Sequence, residues 1–537
     1  MRFHRAFVKA FLSCLALLAL FARAAPDGGG ALAGFAGDFS ARVEAIEALG
    51  IEGGGDARRV LDALEAGKLG IWKDQVYILE DDGIFDAASG EKTLVDPIAI
   101  EIITVNNRIR RALGGARAAL ALTSGNPAER LAAANTLNES PSPALLPLFE
   151  RALATENDEA VRAVLVRAAA RIKLADADPL VRRQAARDLG AASDAAVRNL
   201  LADLLAKSGE GGWAEADAGV REAAAASLRA IDRRIALSQA AGTMFTGLSL
   251  GSILLLAALG LAVTYGVMGI INMAHGELLM VGAYATFVVQ GVFRTYFPEW
   301  VDLYIVAAIP AAFLAAALTG AAMERLVLRH LYGRPLESLL ATWGLSLVLI
   351  QAARVTFGPQ NLELANPGWM SGGVELAAGV VLPFNRIVIV FFAAFVLLLI
   401  WLTMQKTRLG MFVRAVTQNR AMAGCVGVPT ARVDTLAFAI GAGVAGLGGA
   451  ALSQIANVGP AMGQGYIVDA FMVVVLGGVG QLAGAVWAAL GLGIVSKFLE
   501  GWAGAVIAKI LVLLFIIAFI QKRPQGIFAL KGRFADD

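Results

Sequence analysis

The chain has 537 residues, of which 57% are hydrophobic and 17% are charged. It is too long for one ordinary domain, and its apolar content exceeds that of soluble proteins. The 46 basic and 44 acidic residues leave a net charge of +2, which carries little information about partners. With Cys14 and Cys425 as its only cysteines, the chain is expected to form no disulfide, and zinc sites of the paired-cysteine kind are excluded.

The N-terminus has the pattern of a secretory signal peptide, predicted over residues 1–25. Basic residues precede the apolar run 11–21, which is too short to span a membrane. Ala22 and Ala24 then supply the small residues of a cleavage pattern. An uncleaved anchor is the alternative, and in both cases the residues that follow are expected to be exported.

Residues 26–237 are rich in charge and alanine and are predicted to form an exported, periplasmic domain. A short β-hairpin is predicted within 71–95, and helices follow from about residue 126. Capping residues open four of these helices: Asn126, Asp158, Asp178 and Asp217. Their repetition suits stacked helix pairs of the HEAT type, which present surfaces to partners. An irregular Ala-rich bundle is the alternative.

Residues 240–532 are predicted to form a polytopic bundle of membrane helices. Nine apolar spans are expected: 244–266, 271–293, 301–322, 338–357, 386–404, 434–456, 466–480, 482–498 and 503–520. The short, glycine-rich pair at 466–498 predicts a tight hairpin or a re-entrant piece. Basic residues cluster around 325–334, 406–432 and 522–533, and the positive-inside rule places all three clusters and the C-terminus in the cytoplasm.

The second predicted span, 271–293, contains three polar residues near its start: Asn272, His275 and Glu277. Ionisable groups at membrane depth are costly and usually face the interior of a bundle or a water-filled path. A packed histidine that holds helices together is the simpler interpretation. The hypothesis of function is that the three side chains lie on a translocation path.

Gly441, Gly443 and Gly446 fit the spacing of a dinucleotide-binding fingerprint, but they lie inside an apolar span. Small residues there let membrane helices approach closely, so a packing role is predicted. No phosphate-binding loop or His-Glu-x-x-His helix occurs in the sequence. The chain is therefore not expected to be an enzyme or to bind a metal, and any ATP hydrolysis would need another subunit.

The loop at 405–433 is long, basic and partly amphipathic. One interpretation is a charge cluster that sets membrane topology. The other is a helix, Arg414–Gly424, that ends near Gly427 and docks on a partner.

Several of these motifs occur together in one family. The stretch Gly269–Tyr284, which reads GIINMAHGELLMVGAY, resembles the signature of permease subunits from branched-chain amino acid ABC importers. The loop motifs Thr407–Gly410 and Gln418-Asn419, the run Val474–Gly480 and the tail Arg523–Gly526 extend this resemblance over about residues 240–532.

The resemblance implies an all-helical permease in the bacterial inner membrane, surrounded by lipid and without a nucleic-acid partner. It implies three kinds of partner: a second permease, two cytoplasmic ATPases and a periplasmic solute-binding protein. ATP and magnesium would bind to the ATPases, and this chain would carry no cofactor. The ATPase-docking residues it implies are Arg408, Arg414, Gln418, Asn419, Arg420 and Gly427.

The exported extension departs from ordinary members of that family. Together with residues 416–420 and 521–533, it resembles the urea permease subgroup, which implies urea or a short amide as substrate. Two alternatives stay open. One is the import of branched-chain amino acids, and the other is a scaffold in which helical repeats bind partners and the apolar half is only an anchor.

Overall fold

The computed structural model describes residues 32–80, 83–192, 194–207, 212–377 and 380–528. The predicted signal peptide and the last basic residues, Lys531 and Arg533, lie outside this part of the chain. The chain divides into an N-terminal unit, Met1–Arg234, and a C-terminal unit, Ile235–Asp537.

The N-terminal unit opens with two helices and an antiparallel sheet. The elements are α1 (Phe39–Glu52), α2 (Gly55–Glu65), β1 (Leu69–Trp72), β2 (Gln75–Glu80), β3 (Gly83–Asp86), β4 (Lys92–Thr93) and β5 (Glu101–Ile102). The strand order is β4-β3-β2-β1-β5. The predicted hairpin is present as β2 and β3, with Ile78 opposite Phe85. The hairpin belongs to a larger sheet, in which the two-residue strands β4 and β5 depend on pairing with their neighbours and leave no local pattern in the sequence.

Helices form the rest of this unit. They are α3 (Asn107–Ala121), α4 (Pro127–Glu139), α5 (Leu146–Thr155), α6 (Glu159–Lys173), α7 (Pro179–Asp188), α8 (Ala195–Leu204) and the beginning of α9 (Ala218–Met268). The four predicted capping residues are confirmed, since each side chain accepts a hydrogen bond from the backbone of the following first turn.

One ion pair recurs in these helices. Arg130 at the start of α4 donates two hydrogen bonds, of 2.8 and 2.9 Å, to Glu156, which lies just before α6. Arg182 at the start of α7 holds Glu215, just before α9, with bonds of 3.0 and 2.8 Å. Both glutamates also accept a bond from the backbone N–H of the residue two positions later. The recurring group is therefore three helices, α4–α6 and then α7–α9.

The Arg130–Glu156 pair predicts an acid-dependent loss of stability. Hydrogen bonding to Arg130 lowers the pKa of Glu156 from its ordinary value of 4.5 to about 2. A carboxyl whose pKa is lower in the folded state stabilises the fold above its ordinary pKa, and this contribution disappears as the pH falls towards the folded-state value. We expect Glu156→Gln to lower the unfolding temperature at neutral pH and to reduce its decline between about pH 5 and pH 2.

Differential scanning calorimetry of the purified full chain at a series of pH values measures this effect. Glu150→Gln is the matched control, because Glu150 pairs with Lys173 while remaining half exposed, and exposed ion pairs contribute little. An identical pH dependence in Glu156→Gln and the wild type would contradict the assignment.

The C-terminal unit contains the apolar helices. After α9 come α10 (His275–Tyr296), α11 (Tyr304–Leu326), α12 (Pro335–Phe357), α13 (Phe384–Lys406), α14 (Arg408–Gln418), α15 (Arg420–Cys425), α16 (Thr430–Leu452), α17 (Met462–Gly477), α18 (Leu482–Ala503) and α19 (Ala505–Lys522). Strands β6 (Gly373–Ala377) and β7 (Val380–Pro383) form a hairpin before α13.

Eight helices in the described part of the chain are long and apolar enough to cross a membrane. The segment predicted as a ninth span, 466–480, forms the shorter helix α17. Irregular backbone at 453–461 leads into it and forms a bridge between Leu362 and Val458. The segment 453–477 is thus part irregular and part helical, and it stays a prediction as a ninth span.

Glycines hold the centre of this bundle together. Gly441 faces the backbone of α9 at Gly260, while Gly446 faces α11 at Ala312 and Ala316. Gly443 lies against the ring of Phe313, so all three glycines of the apparent fingerprint contact other helices. The predicted packing role is confirmed. A Cβ atom at these positions would overlap its neighbours, and α16 can therefore lie among α9, α10 and α11.

Two glycines of α10 allow a matched test of this packing. A side chain at Gly282 would overlap the backbone of Gly446, whereas Gly291 has open space around it. We expect Gly282→Val to destabilise the bundle by roughly 2 kcal/mol or more through overpacking. Gly291→Val makes the same change in helix propensity without the overlap. The measurement is the thermal aggregation temperature of each purified variant, and equal temperatures would refute the packing argument.

Candidate functional site

The helix predicted for residues 271–293 begins late, because the chain is broken between α9 and α10. Helix α9 ends at Met268, and Gly269 adopts φ +65°, a conformation that glycine reaches without strain. Residues 269–274 are not helical, and α10 begins at His275. Asn272 therefore lies in the break, whereas His275 and Glu277 lie in the first turn of α10.

This break lies near the middle of the bundle. The His275 Nε2 atom is 3.0 Å from the carbonyl oxygen of Ala257, eleven residues before the end of α9. The His275 ring also lies beside Gly260, which contacts Gly441 and Ala445 in the middle of α16. Non-helical backbone at such a depth occurs where it is buried in protein or lines a cavity.

A second helix begins at the same place. Gly463, in the first turn of α17, packs backbone to backbone against Gly276 of α10. Neither helix start has a side-chain cap. The first N–H groups of a helix lack partners within the helix and carry partial positive charge. Two such starts therefore meet inside the bundle, as in the interrupted helices of many transporters.

The three predicted residues come together at this point and are buried. Asn272, His275 and Glu277 are 2%, 0% and 1% exposed. The Asn272 Oδ1 atom accepts a hydrogen bond of 3.0 Å from the backbone N–H of Ala274. Three other atoms have no hydrogen-bond partner: Asn272 Nδ2, His275 Nδ1 and Glu277 Oε2. Each such buried polar atom costs about 1–3 kcal/mol, so the cluster is costly unless something else pairs with it.

Helix α12 supplies hydroxyl groups to the same place. The Ser346 side chain interacts with the Glu277 carboxyl, and Thr342 Oγ1 accepts a hydrogen bond of 3.2 Å from the backbone N–H of Met273. The sequence analysis missed these residues. The sequence pattern that could have identified them is the four-residue spacing of Ser338, Thr342 and Ser346. This spacing places the three side chains on one buried stripe of an otherwise apolar helix.

The predicted docking loop forms two short helices. The prediction of a single helix Arg414–Gly424 was wrong, because Asn419 ends α14 and caps α15 by accepting a hydrogen bond of 2.9 Å from Met422. Gly427, at φ +89°, then turns the chain towards α16. Five of the six predicted docking residues are exposed, and Arg420 is partly buried.

Arg420 belongs to a partly buried polar cluster, here called the clasp, made of Glu324, Arg329, Tyr332, Arg420, Asp434 and Thr435. Arg420 pairs with Asp434, which is fully buried at the start of α16, and its guanidinium lies 4.5 Å from the centre of the Tyr332 ring. Burial raises the pKa of Tyr332, and its hydroxyl donates a hydrogen bond of 3.1 Å to Glu324.

The clasp also joins α11 directly to α16. The Thr435 hydroxyl donates a hydrogen bond of 2.6 Å to Glu324, and Arg329 lies 3.8 Å from the same carboxylate. The sequence analysis missed Glu324 and Asp434. Each is a carboxylate at the end of an apolar span beside a basic loop, and this sequence pattern could have identified them.

The bundle and its buried polar break have the architecture of a multi-pass membrane permease. Residues 243–520 match the family model described as "Branched-chain amino acid transport system / permease component", and the chain belongs to this family.

Proteins with sequences similar to this chain are permease subunits of transporters and not enzymes. The high-affinity branched-chain amino acid transport system permease protein LivH of Escherichia coli is 30% identical over 290 residues, covering 53% of this chain and 94% of the relative. BraD of Pseudomonas aeruginosa, named for the same transport system, has the same identity and coverage. The ribose import permease protein RbsC of Escherichia coli is 26% identical over 242 residues, or 43% of this chain and 69% of that protein. No solved structure gives a significant match.

Proposed function

We propose that this chain is the permease subunit of an ATP-driven importer for urea or a short amide, and that it forms the translocation path with a second permease. The observation that carries the proposal is the group of unpaired atoms at the helix break: an amide nitrogen, an imidazole nitrogen and a carboxyl oxygen within residues 272–277. Intramembrane polar groups of this kind mark substrate pathways.

The donor set suits a small neutral amide. Urea has a carbonyl oxygen that accepts hydrogen bonds and two NH2 groups that donate them. The Asn272 amide can donate to that oxygen, and the Glu277 carboxyl oxygen can accept from an NH2 group. In the described part of the chain, no lysine or arginine forms an ion pair with Glu277, so the cluster offers no fixed cation for an anionic substrate.

Branched-chain amino acids are the second candidate substrate. The names of the LivH and BraD relatives favour them. The two helix starts that meet at Gly276 and Gly463 favour them as well, because helix N-termini attract a carboxylate.

The ATPase-docking surface is proposed to comprise α14, α15 and the turn at Gly427. Its exposed polar residues are accompanied by three exposed apolar side chains, Met411, Met422 and Val426. Exposed apolar groups bordered by polar residues mark protein interfaces. Under this proposal the docking end is cytoplasmic, in a bacterial inner membrane, and the two partners there are ATPases that bind ATP and magnesium.

The N-terminal unit is proposed to be exported, with its repeated helix groups as a HEAT-like surface for a partner such as the periplasmic solute-binding protein. The repeated Arg–Glu pairs of α4–α6 and α7–α9 support a modular surface. Residues 1–242 lie outside the family match, which is consistent with an addition to the permease.

Uptake of labelled urea by cells with and without this chain tests the proposed substrate. We expect uptake only when the chain is present, with little competition from excess leucine. Uptake of labelled leucine that urea does not inhibit would support the second candidate instead. If the cells take up neither solute, both proposed substrates are contradicted.

Glu277→Ala tests the path. We expect uptake to fall to background because the carboxyl acceptor is lost, while the complex still assembles and elutes as the wild type does in size-exclusion chromatography. Glu299→Ala, an exposed glutamate between α10 and α11, should leave uptake unchanged. Uptake at the wild-type rate in assembled Glu277→Ala would refute the role.

Arg420→Ala tests whether the clasp transmits movement from the docking segment to α16. Removing Arg420, whose side chain is 40% exposed, leaves the buried Asp434 without its ion-pair partner. We expect uptake to drop at least tenfold while basal ATP hydrolysis by the assembled complex persists. Arg432→Ala removes a nearby exposed arginine and should change neither rate. Parallel loss of uptake and ATP hydrolysis would indicate failed docking and contradict a transmitting role.

A further inference from the structure

Polar side chains are exposed along one face of the apolar bundle. They belong to three helices: Gln351 and Arg354 of α12, Gln464 and Asp469 of α17, and Lys509 of α19. The Lys509 side chain is 54% exposed and that of Asp469 is 23% exposed.

Part of this face lies at mid-depth. Gln464 follows Gly463, which contacts Gly276 beside the helix break. The Lys509 Nζ atom is 3.3 Å from both the Gly465 carbonyl oxygen and the Asp469 carboxylate. These contacts place the lysine ammonium near the depth of the break, where α16 is at its midpoint.

Hydrocarbon is a poor environment for such a surface. Polar and ionisable side chains in a membrane are costly and usually face protein or a water-filled cavity. Helix α13 has a surface of the kind that suits hydrocarbon, because its exposed side chains from Phe384 to Leu402 are all apolar. Phe391 and Phe395 are 72% and 55% exposed. The surface of α13 therefore suits lipid, whereas the face of α12, α17 and α19 suits contact with protein or water.

The polar face is also concave. A cavity of about 360 Å³ is lined by residues of α12 together with Gln464, and includes Gln351 and Arg354. A second cavity, of about 160 Å³, lies between α9, α17, α18 and α19 beside Asp469 and Lys509. Both can receive side chains of a neighbouring protein.

We infer that the face of α12, α17 and α19 packs against the second permease subunit of the importer, with hydrogen-bonding or acidic groups of that subunit opposite Arg354 and Gln464. The polarity of the face supports this occupant, because Gln464 and the partly exposed Lys509–Asp469 pair lie near the break, where a neighbouring protein offers hydrogen bonds that lipid tails do not. This inference rests on the proposed function, since it assumes a two-permease assembly, and it adds which face meets the second subunit. The helix break then lies next to the interface, through Gly463 and Gln464.

Site-specific photocrosslinking in the assembled complex tests this inference. The full chain is expressed with its companion permease and ATPases, with p-benzoylphenylalanine at Gln464 or, as the control, at Phe391. We expect an adduct with the mass of this chain plus the companion permease from Gln464, several-fold more abundant than from Phe391. Lipid adducts alone from Gln464, an adduct of two copies of this chain, or equal adducts from both positions would overturn the inference.

A cysteine at Gln464 is a smaller change than p-benzoylphenylalanine and disturbs folding less, so it provides a second test. Gln464→Cys in a background with both native cysteines replaced, Cys14→Ala and Cys425→Ala, should react with a maleimide in the chain expressed alone and be protected in the complex. Equal reactivity in the two preparations would also overturn the inference. Neither readout requires transport. If the adducts form but neither urea nor leucine is taken up, the result counts against the proposed function. The inferred interface is still supported in that case.

Discussion

Backbone and polar side chains inside an apolar bundle must find hydrogen-bond partners, and this constraint governs the middle of the C-terminal unit. Helices α10 and α17 both begin there, and irregular backbone leads into each. Such a break is tolerable because glycine contacts bring the surrounding helices close enough to enclose it, as Gly276 does with Gly463. The side-chain atoms that this enclosure leaves unpaired, at Asn272, His275 and Glu277, are the ones we propose to contact the solute.

The same central helix connects this break to the proposed docking segment. The middle of α16 lies beside His275 through Gly441, and its first turn carries Asp434, which Arg420 of α15 holds. A displacement of α15 therefore has a direct route to the break along one buried helix. Closely packed helices transmit such displacements because they have few alternative arrangements. The clasp gives the docking segment a polar connection to α16 in addition to the loop at Gly427.

Much of this organisation was predictable, because it depends on strong local patterns. The apolar spans, the capping residues and the packing role of Gly441–Gly446 follow from composition and spacing. Features set by tertiary contacts were not predictable. The late start of α10 depends on Gly269 and on contacts with α9, and the break at Asn419 depends on a local cap that interrupts a continuous helical pattern. The pairing of Arg420 with Asp434 and the strands β4 and β5 likewise arise from contacts that periodicity does not encode.

The central claim is that substrate passes the break between α9 and α10. Ser346 is 5% exposed and interacts with Glu277, so Ser346→Cys places a thiol of similar size at this point. The most direct measurement is the rate at which a small thiosulfonate reagent labels that cysteine in the working importer, in a background with Cys14→Ala and Cys425→Ala. The account predicts labelling during ATP turnover that is slowed by the transported substrate. Absence of labelling in every state, or labelling that the substrate does not affect, would contradict it.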